Sequence, residues 1–268
     1  MAVGLLNKID ALKNYLRQLE KVAVAFSGGV DSTFLLKVAH DVLGDKAVAI
    51  TAVANYFPVR ERSEAQMFCA AEGIRQFTFE VDENLIDGFC DNPPDRCYRC
   101  KKFLFTHMKR IAAENDLGCV LDGSNMDDTN DYRPGARAIA ELDVKSPLQY
   151  AELWKSEIRL LSKGFKLSTW DKPPFACLAS RFVYGEKISA EKLSMVDRAE
   201  RFLVKRGFRQ VRVRVHDRLA RIEVEPQDFD RLMSIRAELL ERFQMIGFQY
   251  ITLDLQGYRT GSMNEVLR

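Results

Sequence analysis

Apolar residues gather in short runs at 22–26, 47–52, 76–81 and 120–122, separated by stretches of helical periodicity at about 33–43, 60–72 and 101–115. Short apolar runs alternating with helical segments predict an α/β fold built on a doubly wound parallel sheet. In such sheets ligands bind beyond the carboxyl ends of the strands. The rhythm breaks at Thr169-Trp170-Asp171-Lys172-Pro173-Pro174. Beyond it, a helix is expected from Ile188-Ser189 to about 206, with period-two strands at 210–216 and 220–225. A helix at about 226–243 and a strand at 249–255 complete a smaller C-terminal α+β domain. The expected division is 1–170 and 171–268, with no internal repeat and no low-complexity tract.

The first strand leads into Ser27-Gly28-Gly29-Val30-Asp31-Ser32 and then into a helix. Glycines without a Cβ let backbone N–H groups approach an anion, and the helix adds its positive N-terminal end. A Walker loop would carry Lys before its final Ser; this loop carries Asp31 two positions after Gly29. A carboxylate in a phosphate cradle implies a divalent cation between the two, which suits a nucleotide held with Mg²⁺. The plain alternative is a Gly-Gly strand-to-helix turn. The pattern SGGxDS resembles the PP-loop of ATP pyrophosphatases, the adenine nucleotide alpha hydrolase-like fold. That resemblance implies cleavage of ATP to AMP and pyrophosphate, with the adenylate activating a substrate.

At 268 residues and 47% hydrophobic content, the chain can bury one large core or two smaller ones. Its net charge of +2 supplies no global field for nucleic acid or for a membrane surface. No apolar stretch approaches the roughly 20 residues needed to span a bilayer, and Lys8, Asp10 and Lys13 interrupt the N-terminus; a cytoplasmic protein is expected. In that compartment the six cysteines are expected as thiols, metal ligands or catalytic groups rather than as disulfides.

The loop from Asp122 to Gly135 (DGSNMDDTNDYRPG) packs four carboxylates into its first ten residues and opens on the sheet edge that carries the phosphate loop. Asn125 and Asp128 are therefore candidates for the nucleotide or its Mg²⁺, with a solvated acidic loop as the alternative. Asp143 and Lys145, before Ser146-Pro147-Leu148, end another short strand and are candidates for the same rim. Cys97-Tyr98-Arg99-Cys100 precedes the third predicted helix among Arg96, Lys101 and Lys102, a setting that favours thiolates. It fits free thiols, a zinc site completed by Cys90 and His107, or an iron–sulfur cluster completed by Cys177. Cys69 and Cys119 lie in core-like settings. Cys177, three residues before Ser180-Arg181, is either a buried structural thiol or a nucleophile. In Val211-Arg212-Val213-Arg214-Val215-His216, alternation puts Arg212, Arg214 and His216 on one strand face. Two guanidiniums so placed suit a phosphate; a solvated face balanced by Glu223 is the alternative.

Taken together, SGGVDS at 27–32, CYRCK at 97–101, DGSNMDDTNDYRPG at 122–135, SPL at 146–148 and WDKPPFACLASR at 170–181 resemble the LarE family of ATP-dependent sulfur transferases over nearly the whole chain. The resemblance implies sulfur insertion in biosynthesis of the nickel-pincer nucleotide cofactor of lactate racemase. A carboxylate of pyridinium-3,5-biscarboxylic acid mononucleotide is adenylated, joined to sulfur and released as a thiocarboxylate, once for each carboxylate. Ser27, Gly28, Gly29, Asp31 and Ser32 would bind ATP and Mg²⁺, and Cys177 would be the nucleophile with Ser180 and Arg181 beside it. Arg212 and Arg214 would hold the substrate phosphate, and Glu200 and Glu223 would match acidic metal-site residues. In sacrificial members the cysteine gives up its own sulfur; in others three cysteines carry a [4Fe–4S] cluster that receives sulfide from a donor. With Cys97, Cys100 and Cys177, this chain resembles the cluster-bearing branch. The family's habit implies a homo-oligomer, commonly a hexamer. The rival readings are a PP-loop tRNA thiolase, which would need a basic surface, and a non-catalytic nucleotide sensor.

Overall fold

The strand β1 (Val22–Ala25) shows why the chain needs helices on two sides. Val22 and Val24 point into one apolar cluster while Ala23, between them, points into another. The first cluster gathers Leu5, Ile9, Leu12 and Leu16 of α1 (Val3–Leu19), Phe34, Leu35 and Val38 of α2 (Val30–Leu43), and Ile158 and Leu161 of α7 (Lys155–Gly164). The second gathers Phe105, Met108 and Ala112 of α4 (Arg96–Glu114) with Ile139 of α5 (Pro134–Glu141). A strand buried on both faces must be apolar throughout, which is how the sequence reads at these positions.

The sheet has the order β3-β2-β1-β4, with β2 (Ala47–Ala54), β3 (Gln76–Val81) and β4 (Cys119–Leu121) all parallel to their neighbours. Helix α3 (Val59–Glu72) connects β2 to β3, and the short α6 (Pro147–Tyr150) follows a single parallel bridge from Lys145 to Leu121. The α/β class and the parallel sheet expected from the sequence are what the chain adopts. The computed structural model describes residues 3–130, 134–174, 176–259 and 261–263. Asp131, Tyr132 and Arg133 of the acidic loop and Phe175 of the WDKPPFACLASR segment lie outside them.

The chain forms two compact units. One comprises Met1–Ala54, Val59–Asp87 and Asp95–Phe175; the other comprises Asn55–Pro58, Gly88–Pro94 and Ala176–Arg268. The second unit carries a mixed sheet: β5 (Val211–His216) pairs antiparallel with β6 (Leu219–Val224), which pairs parallel with β7 (Tyr250–Leu253). The valines of β5 are wholly buried, and α8 (Ala190–Lys205) contributes Leu193, Val196 and Leu203 to the buried set.

Several elements depart from the sequence expectation. The helix foreseen at 226–243 is divided into α9 (Phe229–Ser234) and α10 (Arg236–Ile246). The Ser234 hydroxyl donates to the Arg231 carbonyl at 2.7 Å, the side-chain competition that bends or ends helices. Helix α4 starts at Arg96, so the CxxC segment forms its first turn rather than preceding it. Helices α1 and α7 were not foreseen, although Leu5, Ile9, Leu12 and Leu16 carry the helical spacing. No helix among the described residues is long and apolar enough to cross a membrane.

Candidate functional site

In the first unit, the phosphate loop leaves the carboxyl end of β1 and enters α2 through a glycine turn. Gly28 sits at φ +72°, and a Cβ there would lie 3.3 Å from both the Glu61 carbonyl and the Ala65 Cβ. Gly29 caps α2 with no side-chain hydrogen bond to the first-turn amides. Those donors therefore keep the unmet capacity that makes a helix N-terminus an anion site. The loop braces itself from within. Ser27 Oγ and Ser32 Oγ are 3.1 Å apart, Ser32 Oγ donates to the Gly29 carbonyl at 3.3 Å, and the Gly29 N–H donates to Ser27 Oγ at 3.4 Å.

Asp31 has one oxygen, Oδ1, buried with no hydrogen-bond partner among the described residues; its other oxygen, Oδ2, accepts from Lys155 Nζ. Thr33 Oγ1 is likewise buried and unpartnered. Burying a carboxylate oxygen unmatched is costly, so the donor set fits a hard divalent cation held by Asp31 beside the loop amides. Lys155 was not foreseen. It opens α7 and reaches Asp31 across 124 positions of sequence, a pairing that no local pattern announces.

The acidic loop after β4 lies against this loop, because a Cβ on Gly123 would meet the Ser32 backbone nitrogen at 3.1 Å. Its side chains are largely used to shape it. Asp122 accepts from Ser124 Oγ at 2.5 Å and Ser146 Oγ at 2.6 Å, and Asp128 accepts from the Asn125 N–H at 3.0 Å. Buried Asn125 accepts from the Asp127 N–H at 2.9 Å, and Asp127 accepts from the first amide of α7, that of Lys155, at 2.7 Å. Asn125 and Asp128, expected at the nucleotide, thus sit beside the loop with their side chains bonded within the turn. Asp143 and Lys145 pair with each other at 2.6 Å on the surface.

Cys97 and Cys100, three apart on the first turn of α4, share one helix face; Cys97 is exposed and Cys100 half-buried. Cys90, weighed with His107 as a zinc ligand, belongs to the second unit, whereas His107 belongs to the first and hydrogen-bonds the Phe103 carbonyl at 3.0 Å. Among the described residues no three His, Cys, Asp or Glu side chains gather as a metal group. Burial pushes the Cys69 thiol up to about 12 and raises Cys119 as well, consistent with core positions.

In the second unit, Cys177 caps a short 3-10 turn, Leu178–Arg181, and its Sγ accepts from the Ala179 N–H at 3.3 Å. Ser180 Oγ donates to the Cys177 carbonyl at 2.7 Å. Arg181 is completely buried. Its Nη1 donates to the carbonyls of Ala176 and Cys177 at 2.6 and 3.0 Å, while Nε and Nη2 grip both oxygens of Glu200 at 2.9 Å. Burial opposes both charges, but each outweighs it in the other: Arg181 is raised and Glu200 lowered. Glu200 also accepts from the Val213 N–H at 2.9 Å, tying this turn to β5.

The arginine face of β5 is buried, not solvated: Arg212 is 3% exposed and Arg214 5%. Arg214 grips Glu223 at 3.0 and 2.8 Å and donates to the Ser180 carbonyl at 3.0 Å and to Ser262 Oγ at 2.9 Å. Arg212 lies over the Tyr258 ring at 5.1 Å, and burial followed by the charge of Arg181 depresses it to about 10. Glu200 and Glu223, expected as acidic metal-site residues, are placed as counter-charges of Arg181 and Arg214.

No protein-family model matches the chain. It is 42% identical over 263 residues to an uncharacterized protein of Synechocystis sp., covering 97% of this chain and 98% of the relative. It is 38% identical over 253 residues to the pyridinium-3,5-bisthiocarboxylic acid mononucleotide synthase of Lactiplantibacillus plantarum, covering 94% and 92%. An uncharacterized protein of Methanocaldococcus jannaschii is 29% identical over 258 residues, covering 95% and 98%.

Proposed function

Since the chain belongs to the LarE family, we propose that it is an ATP-dependent sulfur transferase acting on pyridinium-3,5-biscarboxylic acid mononucleotide, which it converts to the thiocarboxylate for nickel-pincer cofactor biosynthesis. The observation that carries this reading is a phosphate loop with an uncapped helix N-terminus in a chain 38% identical over 94% of its length to a synthase of the bisthiocarboxylic product. The same reading carries a cytoplasmic enzyme, a homo-oligomer built through the C-terminal α+β region, and a two-domain division near residue 170.

In the first step a substrate carboxylate oxygen attacks the α-phosphorus of ATP and the α–β anhydride bond breaks. The pyrophosphate leaves into the amides of Gly29 and the first turn of α2, with Ser27 and Ser32 beside them. Asp31 would hold Mg²⁺, which neutralises phosphate charge when bound. In the second step a sulfur nucleophile attacks the acyl carbon and AMP departs. Cys177 supplies that sulfur directly in the sacrificial route. Loss of its Cα proton and cleavage of the Cβ–S bond then release the thiocarboxylate and leave dehydroalanine. A [4Fe–4S] cluster held by Cys97, Cys100 and Cys177 would instead supply sulfur received from an external sulfide donor, sparing the cysteines. Ser180 and Arg181 hold the Cys177 backbone by its carbonyl. Arg212, its charge disfavoured by burial and then by Arg181, would be stabilised by an anionic phosphate, with Arg214 on the same strand face.

Anaerobic incubation with ATP and the dicarboxylate, followed by intact-mass measurement and product analysis, tests the reading. Formation of AMP, pyrophosphate and thiocarboxylate is expected, and no AMP above background overturns it. An unchanged protein mass with product supports the cluster route, and loss of one H₂S from the protein supports sacrifice. A Cys97→Ala protein that keeps full iron content overturns the three-cysteine ligand set.

A further inference from the structure

Of the WDKPP segment, Lys172 has no role in the reaction described above, yet its ammonium is held against the phosphate loop. Its ammonium lies 3.0 Å from the Gly28 carbonyl and 2.6 Å from a carboxylate oxygen of each of Glu61 and Glu64. Three donors meet three acceptors, and the side chain is only 11% exposed. Its backbone is fixed too: Arg159 of α7 donates to the carbonyls of Trp170 and Lys172 at 2.8 Å, and Pro173 restricts the backbone before it.

We propose that Lys172 is a positioning residue for the phosphate loop, gripping the Gly28 carbonyl so that the Gly29 N–H faces the pyrophosphate of ATP; this rests on reading the loop as the ATP site. In a trans peptide the C=O and N–H point in opposite directions. Fixing the Gly28 oxygen toward α3 therefore fixes the Gly29 N–H toward the loop interior, where it meets Ser27 Oγ at 3.4 Å. A cation on the carbonyl also polarises the peptide and strengthens its N–H as a donor. The ammonium does not act as a general attractor of anions, because Glu61 and Glu64 neutralise it together with Arg60, which lies 3.7 and 3.9 Å from the same two carboxylates. Its effect passes through the peptide. A side chain at residue 28 would be strained, since the backbone there adopts φ +72° and a Cβ would lie 3.3 Å from α3.

The test is calorimetric binding of magnesium pyrophosphate and of a non-hydrolysable ATP analogue to the full chain, with the Gly29 amide followed by NMR. K172M is expected to bind both roughly tenfold or more weakly, with the Gly29 proton shifted upfield, while K172R keeps affinity within about threefold. In the wild type the Gly29 amide is expected to shift downfield on adding pyrophosphate, a readout that holds even where K172M fails to fold. Equal affinity of K172M and wild type, or a Gly29 amide indifferent to pyrophosphate in a wild type that binds it, overturns this inference alone. No binding of either probe by the wild type overturns the ATP reading and this inference with it.

Discussion

Around residues 27–32 the groups that await a ligand are backbone amides at the start of α2 and the unpartnered Oδ1 of Asp31. Around Cys177 the charged groups are buried and matched: Arg181 with Glu200, and Arg214 with Glu223, each through two hydrogen bonds. The first region is built from glycine and helix geometry and keeps its polar capacity open. The second commits Arg181 and Arg214 to carboxylates and fixes the backbone that carries the thiol. Free backbone amides at a helix N-terminus can be left for a ligand to meet, whereas a buried guanidinium must bring its own counter-charge. Damage should therefore appear as lost binding in one region and lost stability in the other.

The sharpest break is Arg181→Met, which strands the buried carboxylate of Glu200. We expect a loss of about 3–5 kcal/mol in the unfolding of the second unit, measured by denaturant titration. A loss below about 1 kcal/mol would remove the contrast. The pH dependence follows with a definite sign. Because Arg181 holds Glu200 below the usual carboxylate range despite burial, the pair's contribution is complete above the unfolded carboxylate pKa and fades as pH falls through the folded one. Glu200→Gln should flatten that acid limb.

A smaller effect is expected from Gly28→Ala. The left-handed backbone costs about 1–2 kcal/mol, yet pyrophosphate release should fall far more than the melting temperature. Asp31→Asn should leave stability within about 1 kcal/mol, since its Lys155 partner is partly exposed. It should raise the Mg²⁺ needed for half-maximal AMP formation roughly tenfold. An unchanged Mg²⁺ requirement would remove Asp31 from the cation site. The mildest probe is alkylation at about pH 8, read by peptide mass spectrometry. Exposed Cys97 should label first and Cys177 more slowly, and Cys69, pushed up to about 12 by burial, only on unfolding.

The two regions differ in the same way in how far they could be read from sequence. The phosphate loop was legible because its chemistry is local: Ser27, Gly28, Gly29, Asp31 and Ser32 fall within six consecutive positions and their spacing is the device itself. The parallel sheet was legible because strands buried on both faces must be apolar. The network around Cys177 was visible only as parts. Alternation put Arg212 and Arg214 on one face, but nothing in VRVRVH says that this face is buried or that Glu223 grips Arg214.

What the sequence determined alone was the strand–helix alternation of the parallel sheet, the cradle at the end of β1, and the chemical types present, thiol, guanidinium and carboxylate. Tertiary structure decided which charges meet: Lys155 with Asp31 across 124 positions, Lys172 with Glu61 across 111, and Arg181 with Glu200 across 19. The physical reason is range. Backbone conformation answers to neighbours in the chain, whereas a buried charge answers to whichever opposite charge the packed core brings within reach.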